Sequence, residues 1–145
     1  MLTKTFFITL FIKQNSHHRY GVLLHTLALV AHIIRARRFK MLLAALLHDI
    51  GKPLVAFQDA NDIRNDEYSF LNHEEISYQL IKRWPISDYT KNLVRYHYLI
   101  RGMSKALEKN NVSRYQRQKR LYDRLDEDFK RDLAFFMCCD DLAKK

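Results

Sequence analysis

The sequence predicts an all-α, single-domain protein, a helical bundle of about six helices. Its 145 residues are 48% hydrophobic and include only three Gly and two Pro. This composition excludes disordered and collagen-like chains. The shortage of turn formers, beside long runs of Leu, Ala and Ile, favours helices over many short strands. We expect one domain over residues 1–145, in which 1–15 form an ambiguous N-terminal extension.

Apolar periodicity and capping signals predict where the helices begin and end. The predicted helices cover residues 17–35, 41–50, 72–84, 87–98, 113–125 and 128–144. The first two are apolar on every face and are therefore expected to be buried. Asn72 is expected to cap the third helix, with Glu75 completing a capping box, and Ser87 and Ser113 to cap the next two. Residues 52–71 lack periodicity and are expected to form a loop that covers or lines a site.

The second predicted helix ends in His48 and Asp49, although the residues before them are apolar. Burying an unpaired charge is costly, and the usual remedy is a partner or a metal ion. We therefore interpret His48 and Asp49 as metal ligands. Gly51 is expected to adopt the left-handed conformation past the helix end, and Pro53 to prevent the helix from resuming. Lys52 would then lie near the mouth of the site.

Further candidate ligands lie on the other predicted helices. His25 is on the first helix, where a lone His is usually a core residue, but the downstream His-Asp pair makes it a candidate. His73 falls in a first turn, where the helix dipole favours the neutral imidazole that binds metal. His97 projects from an apolar face, and Asp140 or Asp141 continues the apolar stripe of the last helix. Imidazoles with carboxylates suit Mn, Fe, Co, Ni, Zn or Mg ions.

The charge of the chain favours a polyanionic partner. The net charge is +9 and the pI about 9.7, which favours nucleic acid, nucleotides or an acidic membrane surface. Between Arg101 and Arg120, seven cations stand against one acid, Glu108. We call residues 101–120 the basic zone. A solvated helix face would explain it, and the functional interpretation is a surface that tracks phosphates.

The compartment is predicted from the cysteines and from the apolar runs. Cys138 and Cys139 are adjacent and form no disulfide framework, which favours a reducing cytoplasm. No apolar run approaches the ~18 residues of a membrane span, so we expect no membrane association. The short apolar run at 6–12 lacks a cleavage site, so we expect no signal peptide.

The candidate ligands follow one another in a recognisable order. They are His25, His48, Asp49, His73, His97 and Asp141. Their contexts are LLHDIGKP at 46–53, NHEE at 72–75, VRYH at 94–97 and MCCDDLAK at 137–144. This order resembles the HD-domain phosphohydrolases over roughly residues 19–144. It looks most similar to the HD region of bacterial tRNA nucleotidyltransferases, in which the stretch after the fourth His is also basic. We expect no nucleotidyltransferase catalytic domain within these 145 residues.

The resemblance implies an HD-type helical bundle around a buried site for one or two divalent ions. The first ion would be held by His25, His48, Asp49 and Asp141. The second would be held by His73 and His97, with Asp49 bridging the two ions. The family pattern favours Asp141 over Asp140 as the last ligand. The family often has a His-His pair where this chain has Tyr96 before its histidine, so one ligand is available there.

The activity implied by the resemblance is metal-dependent hydrolysis of a phosphomonoester or phosphodiester, in which a metal-activated water attacks phosphorus. Lys52 would neutralise a phosphate oxygen beside Asp49. Glu74 would shuttle a proton or orient His73, unless it serves only the helix dipole. The basic zone favours a nucleotide or an RNA end as substrate, such as a 2′,3′-cyclic phosphate or a terminal phosphate.

Three alternatives stay open at the level of the sequence. A free-nucleotide phosphatase, similar to a 5′-nucleotidase, would not need the basic zone. A di-iron oxygenase would use the same ligands for other chemistry. A basic RNA-binding module with a structural metal is disfavoured because the ligand set is intact. The sequence does not indicate the oligomeric state.

Overall fold

The structure, a computed structural model, describes residues 21–65 and 69–144. Its helices are α1 Val22–Arg35, α2 Leu42–Leu47, α3 Lys52–Val55, α4 Ala60–Asn65, α5 His73–Ile81, α6 Asp88–Tyr96, α7 Leu99–Glu108, α8 Val112–Asp123 and α9 Glu127–Leu142. A 3-10 turn at Phe39–Met41 precedes α2, and the short strands β1 (Ala56–Phe57) and β2 (Ser69–Phe70) pair antiparallel. The prediction of an all-α bundle is confirmed. None of the helices in the described ranges is long and apolar enough to cross a bilayer.

The apolar core lies where α1, α2, α6 and α9 meet. Its fully buried members include Leu29, Ile33, Ala44, Ala45, Leu93, Val94, Leu133 and Phe136. Each helix contributes residues from one face, and each large apolar side chain contributes about 1.5–3 kcal/mol when it is buried. At its edge the core borders one of the candidate ligands, since the ring centroids of Phe136 and His48 lie 5.8 Å apart. The core therefore supports one side of the candidate site.

The expectation that the first two helices are buried on every face is wrong. Leu43 and Leu46 of α2 are 40% and 51% exposed, and Leu24 and Leu27 of α1 are about half exposed. Apolar side chains make up much of any protein surface, so apolar content alone does not show which face is buried. The predicted start of the first helix, at 17–20, lies outside the described residues.

The chain after the His-Asp pair also differs from the expectation. Gly51 has a right-handed conformation, with φ −82° and ψ −16°. Helix α3 begins immediately after it, with Pro53 in the first turn, where the missing N–H costs nothing. The segment 52–71 contains α3, α4 and the β1–β2 pair rather than a loop. Asp59 accepts a hydrogen bond from the backbone N–H of Asp62 at 2.8 Å and so caps α4.

The capping predictions were right for one helix and wrong for two. Ser87 caps α6 as predicted. Asn72 precedes α5 but is left-handed, with φ 57°, and its side chain caps nothing. The capping box with Glu75 therefore does not form, since it requires an extended cap residue. Asn111 caps α8 in place of Ser113.

Candidate metal centre

Five of the predicted ligands converge from four separate parts of the chain. His25 lies within α1, and His73 is the first residue of α5. His48 and His97 each follow the last residue of a helix, α2 and α6, and Asp49 lies in the turn after His48. None of these five residues is more than 7% exposed. Helix ends thus bring most of the ligands into one buried site.

The ligand atoms form two groups that share Asp49. The first group is His25, His48 and Asp49, and the second group is Asp49, His73 and His97. Within each group the ligand atoms lie within 4.8 Å of one another. Oδ2 of Asp49 is 3.1 Å from Nε2 of His48, and Oδ1 is 3.3 Å from Nε2 of His73. Each oxygen of this carboxylate therefore serves a different group.

Local hydrogen bonds aim the Nε2 atom of each imidazole into the centre. Nδ1 of His48, His73 and His97 lies 2.8, 3.0 and 2.7 Å from the backbone carbonyl three residues earlier. Nδ1 of His25 lies 3.3 Å from the carbonyl of Ala143. A carbonyl only accepts, so Nδ1 carries the proton and donates it. Nε2 is left with a lone pair, which is the form that binds a metal ion.

Facing lone pairs mark where a cation fits. Nε2 of His73 and Nε2 of His97 are 3.2 Å apart, and both are acceptors in the tautomer that their carbonyl partners require. Nε2 of His48 is buried and lacks a hydrogen-bond partner of acceptable geometry within the described ranges, and it lies 3.1 Å from Oδ2 of Asp49. Buried acceptors without donors are costly unless a proton or a cation joins them. The nitrogen and oxygen atoms that face one another here therefore suit divalent metal ions as ligands.

Asp140, rather than Asp141, reaches the histidines. Oδ1 of Asp140 is 2.8 Å from Nε2 of His25 and 3.7 Å from Nε2 of His48. The side chain of Asp141 is 52% exposed, and among the residues described it contacts cations and no histidine. The family pattern favoured Asp141, but the buried row of α9 runs through Phe136 to Asp140, four residues apart on one face.

Three cations hold the two buried carboxylates, and the sequence analysis assigned this role to none of them. Arg101 and Lys144 lie 3.1 and 3.0 Å from Oδ2 of Asp140, which leaves Oδ1 to face the histidines. Nζ of Lys52 is 2.7 Å from Oδ2 of Asp49. Lys52 is only 5% exposed, so it lies deeper than the mouth where the sequence placed it.

The charges favour ionised carboxylates and a positive charge between the ligands. Burial alone would raise the pKa of Asp49, but His48 and Lys52 outweigh burial and hold that pKa well below its usual range. Burial would likewise raise the pKa of Asp140, but the side chains of His25, His48 and Lys144 outweigh burial and lower that pKa. Burial would lower the pKa of His48, but Asp49 raises it, so a positive charge beside Nε2 is favoured. Burial lowers the pKa of His97, which keeps it neutral.

Ser77, which the sequence analysis missed, joins the His-Asp turn to α5. Its Oγ accepts a hydrogen bond from the N–H of Gly51 at 2.9 Å and donates to the carbonyl of His48 at 2.8 Å. A Cβ on Gly51 would lie 2.6 Å from the backbone N of Ser77 and 2.7 Å from the carbonyl O of His73. Close approach of α5, not a left-handed turn, therefore requires this glycine. The sequence signal that could have indicated Ser77 is its position four residues after His73, on the same face of α5.

The centre opens into a cleft of about 1060 Å³. We call its buried acids and histidines the floor: Asp49, His73, His97 and Asp140. We call four of its lining cations the wall: Lys105 on α7, Lys109 directly after α7, and Arg114 and Arg117 on α8. Glu74 also lines the cleft, with Oε2 3.5 Å from Nδ1 of His73. The basic zone and the candidate ligands thus share one cavity.

One family model matches the chain, that of the HD domain, over residues 15–128. The matched segment contains His25, His48, Asp49, His73 and His97. It ends before Asp140, so the last acid of the centre is assigned by position in the fold alone. No curated protein sequence matches the chain significantly.

Proposed function

The chain belongs to the HD-domain family of metal-dependent phosphohydrolases, and from this premise we propose that it hydrolyses a phosphoester of a nucleotide or of a nucleic-acid end. The observation that carries the proposal is the pair of ligand groups sharing Asp49 at the floor of a cleft with a cationic wall. The match is to the HD domain in general. The closer resemblance to tRNA nucleotidyltransferases stays a prediction.

We assign the ligands as two sets around the shared carboxylate. One divalent ion would be held by His25, His48, Asp49 and Asp140. A second would be held by Asp49, His73 and His97. Such ions, when bound, polarise the phosphoryl oxygens and lower the pKa of the attacking water. The nitrogen and oxygen donors suit Mn, Fe, Co, Ni, Zn or Mg, and the absence of thiolates from both sets disfavours softer ions.

Side chains around the ligands supply orientation and charge. Lys52 contacts Asp49 and also lines the cleft, and an ammonium group has three donors. It can therefore orient the bridging carboxylate and still bind a phosphate oxygen. Arg101 fixes Asp140 from the cleft side. Glu74 lies close enough to His73 to orient its ring or to accept a proton through a water molecule.

The shape of the centre favours an enzyme over an RNA-binding module with a structural metal. A structural site closes every ligand position with protein atoms, whereas a catalytic site leaves a position open to substrate. Three acid and imidazole ligands of the second group line an open cleft. Among the described contacts, none specifically favours a free-nucleotide phosphatase or a di-iron oxygenase over the proposed phosphoester hydrolysis.

The test is a hydrolysis screen on the purified chain with each divalent ion in turn. Substrates are aryl and bis-aryl phosphates, mononucleotides, 2′,3′-cyclic nucleotides and end-phosphorylated RNA. We expect turnover of at least one phosphoester class, its loss on chelation and its recovery on adding metal. A protein that binds no metal by mass spectrometry, and whose melting temperature metal does not change, would overturn the proposal.

A further inference from the structure

The four cations of the wall have no acidic partner among residues 21–65 and 69–144. Lys105 lies on α7, Lys109 is the residue directly after that helix, and Arg114 and Arg117 lie on α8. The one charged-group contact found for any of them is that of Lys105 with the ring of Tyr98, at 5.7 Å. Unpaired like charges in one cavity repel one another, so their joint position is unfavourable without an anion.

Two cations near the wall are paired. Lys119, on the same helix as the two arginines, lies 2.7 Å from Asp123, and Lys130 of α9 lies 2.7 Å from Glu127. The other cations that line the cleft, Lys52, Arg101 and Lys144, are each paired with Asp49 or Asp140. The surplus of positive charge in the cleft therefore belongs to the wall and is not consumed by the metal centre.

The wall is a preformed surface. Arg114 and Arg117 lie three apart on α8 and so share one helix face. The N–H of Lys109 donates to the carbonyl of Lys105 at 3.2 Å, which keeps Lys109 next to the last turn of α7. Helices α7 and α8 pack closely, and the side chain of Gln118 lies against Gly102, where a Cβ would be 2.5 Å from its Nε2. The turn between them is fixed by the N–H of Asn111, which donates to the carbonyl of Ala106 at 2.8 Å.

The cleft suits a chain of phosphates better than one small ligand. Its volume of about 1060 Å³ is close to the upper end of the range typical of small-molecule pockets, about 300–1,000 Å³, so the four wall cations and not the size favour several phosphates. The aromatic rings that line it, Phe70 and Tyr98, already have cations over them: Lys52 at 5.4 Å, and Arg101 and Lys105 at 5.7 Å each. The wall itself consists of ammonium and guanidinium groups, which bind phosphates and need no base for contact.

We propose that the wall is a subsite for the backbone phosphates of a single nucleic-acid strand whose end lies at the floor. This inference rests on the proposed function and narrows its substrate class to strand ends, in preference to mononucleotides. Because charge and not base edges provides the contacts, recognition is independent of base sequence.

The first test measures binding, independently of turnover. A fluorescein-labelled pentauridylate without a terminal phosphate is titrated with the full chain by fluorescence anisotropy at several salt concentrations. Four phosphate contacts on a single strand give a slope of log K against log salt of about −3. The double variant Arg114→Gln/Arg117→Gln should reduce the magnitude of the slope by about 1.4. The double variant Lys119→Gln/Arg120→Gln, on the same helix but outside the cleft, should leave the slope unchanged.

The second test compares chain lengths under turnover. The quantity is kcat/KM for a trinucleotide divided by kcat/KM for the mononucleotide that carries the same terminal phosphoester. We expect this ratio to be about ten or more in the native chain, which corresponds to about 1.4 kcal/mol of additional transition-state stabilisation. The ratio should fall towards one in Arg114→Gln/Arg117→Gln and persist in the Lys119/Arg120 control variant.

The outcomes separate this inference from the proposed function. Mononucleotide hydrolysis with a ratio of one and a flat salt response would overturn the wall subsite and leave the phosphohydrolase intact. Equal slopes for the two double variants, or preferential binding of inorganic polyphosphate over the strand, would also overturn it. Strand binding with the expected slopes, but no hydrolysis of any phosphoester, would support the wall and overturn the proposed function.

Discussion

The two ligand groups of the metal centre share Asp49 but differ in what surrounds them. The first group has a second carboxylate beside it, Asp140, which two cations hold in place. Among the described residues, no further carboxylate reaches the Nε2 atoms of the second group, since Glu74 contacts only Nδ1 of His73, at 3.5 Å. The histidines of the first group lie behind the cleft lining, whereas His73 and His97 line the cleft itself.

This difference predicts that the two groups bind their ions with different strength and contact the substrate to different extents. Additional negative charge and burial favour tighter binding of a divalent ion, so we expect the first group to retain its ion more strongly. The second group faces the space where a substrate enters, so its ion would exchange more readily and meet the phosphate first. The four predictions that follow test this contrast, beginning with the largest expected effect.

Replacing the shared carboxylate should disable both groups. Asp49→Ala is expected to remove most bound metal and to lower turnover of an aryl phosphate by more than about 100-fold, the upper range for loss of an outer-sphere partner. Metal content by mass spectrometry and steady-state kinetics measure these effects. Circular dichroism controls for the fold. Retained metal with retained activity would contradict the bridging role.

The adjacent acids of α9 provide a matched pair that tests the first group. Asp140→Asn should lose the more tightly held ion and most activity, because it removes the carboxylate 2.8 Å from Nε2 of His25. Asp141→Asn should keep both, since that side chain is half exposed and contacts only cations. Isothermal titration with Mn²⁺ measures the change in each variant. Equal losses in both variants would show that Asp140 has no special role.

Removing an imidazole from the second group should affect only the weaker ion. His97→Ala is expected to lower the metal content by one ion per chain and to reduce turnover, while the first group keeps its ion. His32→Ala, half-buried on α1 and outside both groups, is the control. Unchanged metal content and turnover in His97→Ala would indicate a single-ion centre and remove the contrast between the groups.

The smallest expected effect concerns the junction between the groups. In Gly51→Ala the new methyl group meets the backbone of α5, so the helix must shift, at a cost of about 1–3 kcal/mol in unfolding free energy. Gly102→Ala is the control, because its methyl group meets the movable side chain of Gln118. Urea unfolding measures both variants. Equal stabilities would show that the approach of α5 at Gly51 is not tight.

Several parts of the site could be predicted because their cause is local. A His-Asp pair at the end of an apolar helix signals a buried polar site in any fold, since burying such groups needs compensation. The orientation of three histidines is also local, because each donates to the carbonyl three residues earlier. His73 and His97 could therefore be proposed as candidates from helix boundaries alone.

Other parts depended on contacts that periodicity does not contain. Adjacent residues on a helix point about 100° apart, and only the packing of α9 against α1 determined that Asp140 faces His25. The role of Gly51 follows from the approach of α5, which is 26 residues away at Ser77. The exposure of Leu43 and Leu46 likewise follows from which neighbours α2 has, and not from its own composition.

The sequence by itself determined the helical class, the residue types of the centre and the excess of positive charge, because composition and short-range hydrogen bonding control these. The tertiary structure decided which acid completes the first group, why Gly51 is a glycine, and which cations of the basic zone share the cleft with the ligands. Those outcomes depend on long-range packing, which places side chains from distant helices within a few ångströms of one another.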